Sequence, residues 1–254
     1  MDSKPSRIKF LKVPLDIVSP EELPAVISGL LPKWKSTKPF DKSQNIILLS
    51  VWDLLKARSN KEYRQYVLDA DLVLPISKSL VTGVNFLLKK KVYRYMPFNF
   101  AVTLLGILEK NEFPVFLLGS RSSILKKAEK NLRTTFPRLK IVGRYEGYMR
   151  KQEEGAVIEA VRKSSPSLLL AGIGIRGREL WIGRNSERLN TGLRLWCSDL
   201  FDVFAKKKYR PSDAIFEKGL ESIGYCIRSP LKFFRVFCYL RFKILVLFYR
   251  LFRS

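Results

Sequence analysis

The sequence predicts an α/β fold: a Rossmann-like, mostly parallel sheet with helices on both faces, plus a basic amphipathic helical appendage at the carboxyl end. Three observations predict it. Short apolar runs of strand length alternate with helical patterns of about ten to fifteen residues, the signature of βαβ units. The runs are apolar throughout, as in Ser167 to Ile173 (SLLLAGI), which suits strands covered on both faces. From Ala205 to Ser254, twelve basic residues stand against three acids, a local charge of +9.

The elements follow in order. Asn45 to Ser50 (NIILLS) reads as a strand, and Trp52 to Asp69 as helical, with Leu54, Leu55, Tyr63, Tyr66 and Val67 recurring at three- and four-residue steps. Ala70 to Leu74 is a second strand, ended by Pro75, and helical patterns surround Leu80 to Leu88 and Phe100 to Lys110. Phe113 to Leu118 forms a strand, Gly119-Ser120-Arg121 a turn, and Ser122 to Phe136 an amphipathic helix stopped by Pro137. Lys140 to Gly143 opens the next strand, and Glu153 to Lys163 is the helix before SLLLAGI. The division falls at 1–204 for the core and 205–254 for the appendage.

Composition narrows the chemistry. The chain has 254 residues and a formal net charge of +24, with 46% hydrophobic residues, ample for a buried core. That content excludes bulk disorder, and no window approaches the roughly 20 apolar residues that cross a bilayer. There is no histidine, so no Ser-His or Cys-His nucleophile pair and no His-ligated metal is available. Any general base is a carboxylate, Lys, Tyr or the substrate itself. Cys197, Cys226 and Cys238 lack CxxC spacing and form an odd set, the pattern of buried or free thiols in a reducing compartment. Met1 to Lys9 is polar, so no secretory leader is expected. The charge calls for an anionic partner.

In open α/β sheets the ligand crevice lies beyond the carboxyl ends of the strands. Three loops fall there. Gly119, Ser120 and Arg121 precede a helix whose N-terminal N–H groups suit a phosphate, though an ordinary capped turn reads the same way. Gly143 to Tyr148 places glycines, including Gly147, beside aromatics able to stack a nucleobase, though a plain loop reads the same way. Gly172-Ile173-Gly174-Ile175-Arg176-Gly177 meets the GxGxxG spacing, yet too little chain follows for a dinucleotide unit. A glycine-rich turn with Arg176 and Arg178 still suits a diphosphate. Asp69-Ala70-Asp71, the DxD spacing, enters a strand at its amino end, away from that crevice, so neither metal nor cofactor is expected.

The tail carries Arg228, Lys232, Arg235, Arg241, Lys243, Arg250 and Arg253 among aromatic and aliphatic residues such as Phe237. On a helix, all but Arg241 fall within an arc of roughly 80° that Tyr239 and Val246 share, and most of the remaining circumference is apolar. Such a helix lies in the headgroup plane of an anionic membrane. A core-packing helix with a solvated basic edge, or a nucleic-acid arm, are the alternatives; the latter leaves the aromatics without a burial partner, and no nucleic-acid partner is expected. Removing 230–254 is expected to release the protein from anionic vesicles and leave the core folded.

An ordered set of stretches resembles the WecG/TagA/CpsF glycosyltransferases (glycosyltransferase family 26). They are Ala70 to Pro75, Phe116 to Gly119, Ile141 to Gly143 with Gly147-Tyr148, and Gly172 to Ile175 with Glu179 to Ile182. Phe201-Asp202 with Arg210, and Gly219 to Glu221 with Pro230, complete the set. The resemblance implies a Rossmann-like core at 1–204 that binds a nucleotide sugar, and a membrane-docking appendage. It implies transfer of a hexose or N-acetylhexosamine-type sugar from a UDP-sugar to a polyprenyl-diphosphate-linked acceptor in cell-envelope polysaccharide synthesis, at the cytoplasmic membrane face. On it, Gly119, Ser120, Gly147, Tyr148, Gly174, Glu179 and Arg210 are expected at the substrates, with Glu179 and Asp202 the catalytic candidates. Arg228, Lys232, Arg235, Phe237, Lys243, Arg250 and Arg253 are expected at the membrane; a homo-oligomer is left open. The family's proposed base and a second acid are aspartates where this chain has Ile76 and Asn99. The alternative reading is therefore a catalytically degenerate relative that binds a nucleotide sugar or scaffolds envelope polysaccharide synthesis.

Overall fold

The computed structural model describes residues 5–31, 43–219 and 234–252, with the side chains of 234–236 outside the described set. The first element is a hairpin, β1 (Ser6–Phe10) against β2 (Val13–Ile17), joined through Leu11 and Lys12, both at positive φ. A two-residue hairpin turn demands that backbone, and normally advertises it with Asn or Gly. Leu-Lys does not, which is why the hairpin escapes the sequence reading.

Helix α1 (Leu23–Leu30) precedes β3 (Gln44–Leu49). The predicted helix over Trp52 to Asp69 is two: α2 (Val51–Ser59) and α3 (Lys61–Leu68). Asn60 stands between them in extended conformation, its side chain accepting from the Tyr63 N–H at 2.8 Å, so it caps a new helix instead of continuing the old one. Next come β4 (Leu72–Pro75), α4 (Lys78–Leu88), α5 (Pro97–Lys110), β5 (Val115–Leu118) and α6 (Ser122–Thr135). Then β6 (Ile141–Tyr145), α7 (Glu154–Ser164), β7 (Leu168–Ala171), α8 (Glu179–Arg184) and β8 (Leu193–Trp196) complete the core, with α9 (Leu200–Phe204) after it. Strand β8 interrupts its apolar run with Arg194, and the sequence reading passes over it.

Among the described residues the main sheet has order β4-β3-β8-β7-β5-β6, and every neighbouring pair is parallel. Alternate strand residues feed opposite faces. Ile46, Leu168 and Leu170 join α1, α5, α6 and α9 on one side. Ile47, Leu49 and Val73 join α2, α3 and α4 on the other, where Leu169 and Ala171 meet α7 and α8. This is the doubly covered parallel sheet the apolar runs predict. The hairpin guards the β4 edge: buried Asp16 accepts from Arg7 at 2.7 and 2.8 Å and from the Val73 N–H at 2.7 Å, occupying an edge donor.

In the appendage, α10 (Asp213–Lys218) is followed by α11 (Phe234–Phe252). Phe242 and Val246 of α11 are buried in the cluster formed by α2, α4 and the hairpin. The Phe242 ring centroid lies 6.3 Å from that of Phe10. Opposite that face, Phe237, Leu240, Ile244, Leu247, Phe248 and Leu251 are exposed. The tail helix is thus a core-packing helix that also keeps a second, open apolar face. No helix is long and apolar enough to cross a membrane among the described residues.

Candidate functional site

The chain leaves β3 for α2 on one face of the sheet and β8 for α9 on the other, so the carboxyl edge opens between them. A cleft of about 430 Å³ occupies that opening, walled by Ser50, Asp53, Ile76, Tyr63, Glu179 and Arg210 among others. Cys238 and Tyr239 of α11 reach its wall.

Glu179 is the first residue of α8 and only 4% exposed. Its Oε1 accepts from the Lys56 Nζ at 2.6 Å, while buried Oε2 makes no hydrogen bond and the Arg178 Nε stands off at 3.5 Å. Arg178 holds φ +55° and ψ −134°, a backbone that non-glycine residues rarely adopt, to aim α8 at the cleft. Lys56 also sits 4.0 Å over the Tyr63 ring.

Asp53 lies one helical turn into α2 and closes a capping box: it accepts from the Ser50 N–H at 2.9 Å and the Ser50 hydroxyl at 2.6 Å, and its own N–H donates back at 3.2 Å. The Tyr63 hydroxyl donates to its other oxygen at 3.2 Å. Burial pushes the Asp53 carboxyl up; the Ser50 hydrogen bonds pull it back, and the Glu179 charge pushes it up again. Burial, then the Asp53 and Glu179 charges, hold the Tyr63 hydroxyl protonated. Two carboxyls and a tyrosine thus share one wall of the cleft, with Lys56 bonded to Glu179 and set over the Tyr63 ring. Sequence reasoning finds Glu179 but misses Asp53, Lys56 and Tyr63. The signal is Ser50-x-x-Asp53 directly after an apolar strand, a capping box at the edge where ligands bind.

At the other wall Arg210 donates to Asn99 Oδ1 at 2.8 Å and Asp213 Oδ1 at 3.0 Å, its guanidinium 4.6 Å from the Phe98 ring centroid. Asp202 does not wall the cleft. It sits in α9, its carbonyl accepting from the Lys207 and Lys208 N–H groups, and burial pushes its carboxyl up. Burial likewise pushes the Cys197 thiol up, leaving it protonated.

The predicted glycine loops come together, but none of Gly119, Ser120, Gly147, Tyr148 and Gly174 walls this cleft. They pack on one another. A Cβ on Gly147 would stand 2.5 Å from the Ile173 carbonyl and one on Gly119 2.8 Å from the Gly172 nitrogen. The Ser120 N–H donates to Ile173 at 2.6 Å, and the Gly147 N–H donates to Ser120 at 2.8 Å. The glycine space is filled by neighbouring backbone. At the start of α6, where an anion was expected, the Ser122 N–H already donates to the Glu146 carboxylate at 3.3 Å. Only Tyr148 keeps an open ring, with Arg121 5.7 Å from its centroid.

Of the predicted membrane residues, Phe237, Lys243 and Arg250 are exposed on α11, Arg250 lying 5.6 Å over the Phe86 ring. Arg228, Lys232 and Arg253, and the side chain of Arg235, lie outside the described residues.

The chain matches the Glycosyl transferase WecG/TagA/CpsF family over residues 8–254. Curated relatives include an N-acetylglucosaminyldiphosphoundecaprenol N-acetyl-beta-D-mannosaminyltransferase of Bacillus spizizenii, 21% identical over 181 residues, covering 71% of this chain and 70% of the relative. One of the same name from Bacillus subtilis is 20% identical over 191 residues, covering 75% and 74%. A sheet whose carboxyl edge opens onto paired carboxyls, together with a family match running almost end to end, places this chain in the WecG/TagA/CpsF glycosyltransferase family.

Proposed function

We propose that this glycosyltransferase moves a hexose or N-acetylhexosamine-type sugar from a UDP-sugar to a polyprenyl-diphosphate-linked acceptor during cell-envelope polysaccharide synthesis, at the cytoplasmic membrane face. The names of the relatives support the acceptor class, since both act on an undecaprenyl-diphosphate-linked sugar. The observation that carries the reading is the buried Glu179 in the cleft, with Oε1 engaged by Lys56 and Oε2 free of hydrogen bonds, the Arg178 Nε 3.5 Å away.

The chemistry follows from that geometry. Lys56 fixes one Glu179 oxygen, so Oε2 takes the proton from the acceptor hydroxyl. The freed oxygen attacks the anomeric carbon, forming the new glycosidic bond as the bond to the UDP oxygen breaks. UDP leaves with that electron pair, its charge met by Arg178 and Arg210 at the cleft. Ile76, at the cleft wall, takes no proton, which concentrates the base role on Glu179. The exposed apolar face of α11 lies on the helix that also contributes Tyr239 to the cleft, so a lipid-borne acceptor reaches the site from the bilayer beneath it.

The test is transfer from a panel of UDP-sugars to an N-acetylglucosaminyl-diphosphate-polyprenol, in buffer with a chelator. Transfer is expected, and Glu179→Gln should lower kcat by about 10²- to 10⁴-fold while UDP still binds. UDP binding without turnover by the native chain would favour the degenerate reading, to which Ile76 and Asn99 at the family's acidic positions point. No UDP binding and no transfer would reject both.

A further inference from the structure

A second cavity, of about 780 Å³, lies at the opposite, amino edge of the sheet, between the starts of β3 and β8 and the helices α3 and α8. Arg194 reaches its wall from the middle of β8, where it pairs in register with Asn45 of β3. It is 4% exposed. Its Nε and Nη1 are buried without a hydrogen-bond partner, and Nη2 reaches only the Ser43 carbonyl at a long 3.4 Å. Burial disfavours its charge, yet a guanidinium does not give up its proton in a protein.

The other arginines of this cavity are committed elsewhere, and its acids are Glu62, Asp69 and Glu187. Arg184 donates to Glu62 at 2.6 and 2.8 Å, Arg162 donates to Glu159 at 2.8 Å through two nitrogens, and Asp69 accepts from Gln65 at 2.8 Å. Asp71, one oxygen of which accepts from the Asn45 N–H, favours the Arg194 cation through its charge without forming a contact ion pair with it. No ion pair reaches Arg194 among the described residues. A water would satisfy a donor and leave the buried charge without a contact counter-ion; an oxyanion supplies both.

We infer that this cavity is a binding site for a small oxyanion, phosphate or carboxylate in class, held by the open donors of Arg194. It is distinct from the sugar-transfer cleft, with which it shares Tyr66 as a common wall. An arginine with unspent nitrogens inside a sheet is otherwise a cost that an aliphatic residue would avoid, as Leu169 does at the register position on β7.

The experiment uses the full chain in chloride buffer at constant ionic strength, titrated with inorganic phosphate in one arm and acetate in the other. Calorimetry gives affinity and thermal melting gives stability. One or both probes are expected to bind the native chain and raise its melting temperature. Arg194→Met should weaken that binding about tenfold or more, and melt no lower than the native chain when neither probe is present, because it removes a buried charge that has no contact counter-ion. Should Arg194→Met fail to fold, Arg194→Lys keeps the charge but not the planar fork, and is expected to weaken binding severalfold. The inference is overturned if neither probe binds, if binding survives Arg194→Met or Arg194→Lys unchanged, or if Arg194→Met lowers the melting temperature equally with and without the probes.

Discussion

Glu179 and Gly147 show how differently single residues read at the carboxyl edge. Glu179 works through what it lacks: one oxygen is held by Lys56 and the other is buried without a hydrogen bond, at the first position of a helix whose preceding residue is strained. Gly147 works through what it leaves out. A side chain there would collide with the Ile173 carbonyl and stand 2.9 Å from the Gly119 Cα, both of them backbone that cannot swing aside. Gly147→Ala is therefore expected to destabilise the ligand-free fold by about 1–3 kcal/mol through overpacking. Thermal melting checks it. An unchanged melting temperature would mean the gap is kept for a ligand and not for the neighbouring loop. GxGxxG-type spacing names the glycines and is silent on which of these two uses they serve. Asp53 was hidden for a related reason: its pattern reads as a helix cap, which it is, and only the fold brings Glu179 of another element beside it.

At the scale of elements, α11 carries two apolar faces with different work to do. One packs Phe242 and Val246 into the cluster of α2, α4 and the N-terminal hairpin. The notion that 230–254 detaches cleanly overlooks this face, since its removal would expose Phe10, which meets Phe242. Phe242→Ala should cost about 3 kcal/mol, the usual cost of a buried ring lost with partial collapse of its cavity. That is a fall of roughly 6–12 °C in Tm for a chain of this length, read by calorimetry. A fall under a degree would mean that α11 is held only loosely. The short elements α8 and β8 make the complementary point. Neither carries enough periodicity to be recognised locally, yet β8 sits between β3 and β7 and α8 carries Glu179.

For the whole molecule, the proposed membrane docking has the charge of +24 and the open face of α11 act together. Phe86 and Leu88 of α4, the helix on which α11 packs, are exposed as well, Arg250 of α11 lies 5.6 Å over the Phe86 ring, and Lys243 is exposed on α11. Electrostatic attraction brings such a surface to anionic lipid and apolar burial holds it there. Sedimentation with vesicles rich in anionic phospholipid should show binding that weakens as salt shortens the roughly 10 Å screening length at 0.1 M. Phe237→Ser, on the open face at 65% exposure, should weaken it further while leaving Tm within about a degree, because most of the side chain already faces solvent. Equal binding to neutral and anionic vesicles would contradict the charge argument, and no binding to either would remove the membrane reading.

The parallel sheet covered on both faces, the order of most of its strands and helices, the family motifs and the basic tail were all legible along the chain. Each is carried by local periodicity or by composition, which do not depend on what lies far away in sequence. What only the tertiary structure decided were contacts between distant segments. Lys56 meets Glu179, the glycine loops fill one another's space, α11 divides into a buried and an open face, and Arg194 enters the sheet centre without a partner. A periodicity states that a residue will be buried, whereas its neighbour on the next strand, helix or loop is fixed by the topology that folds them together.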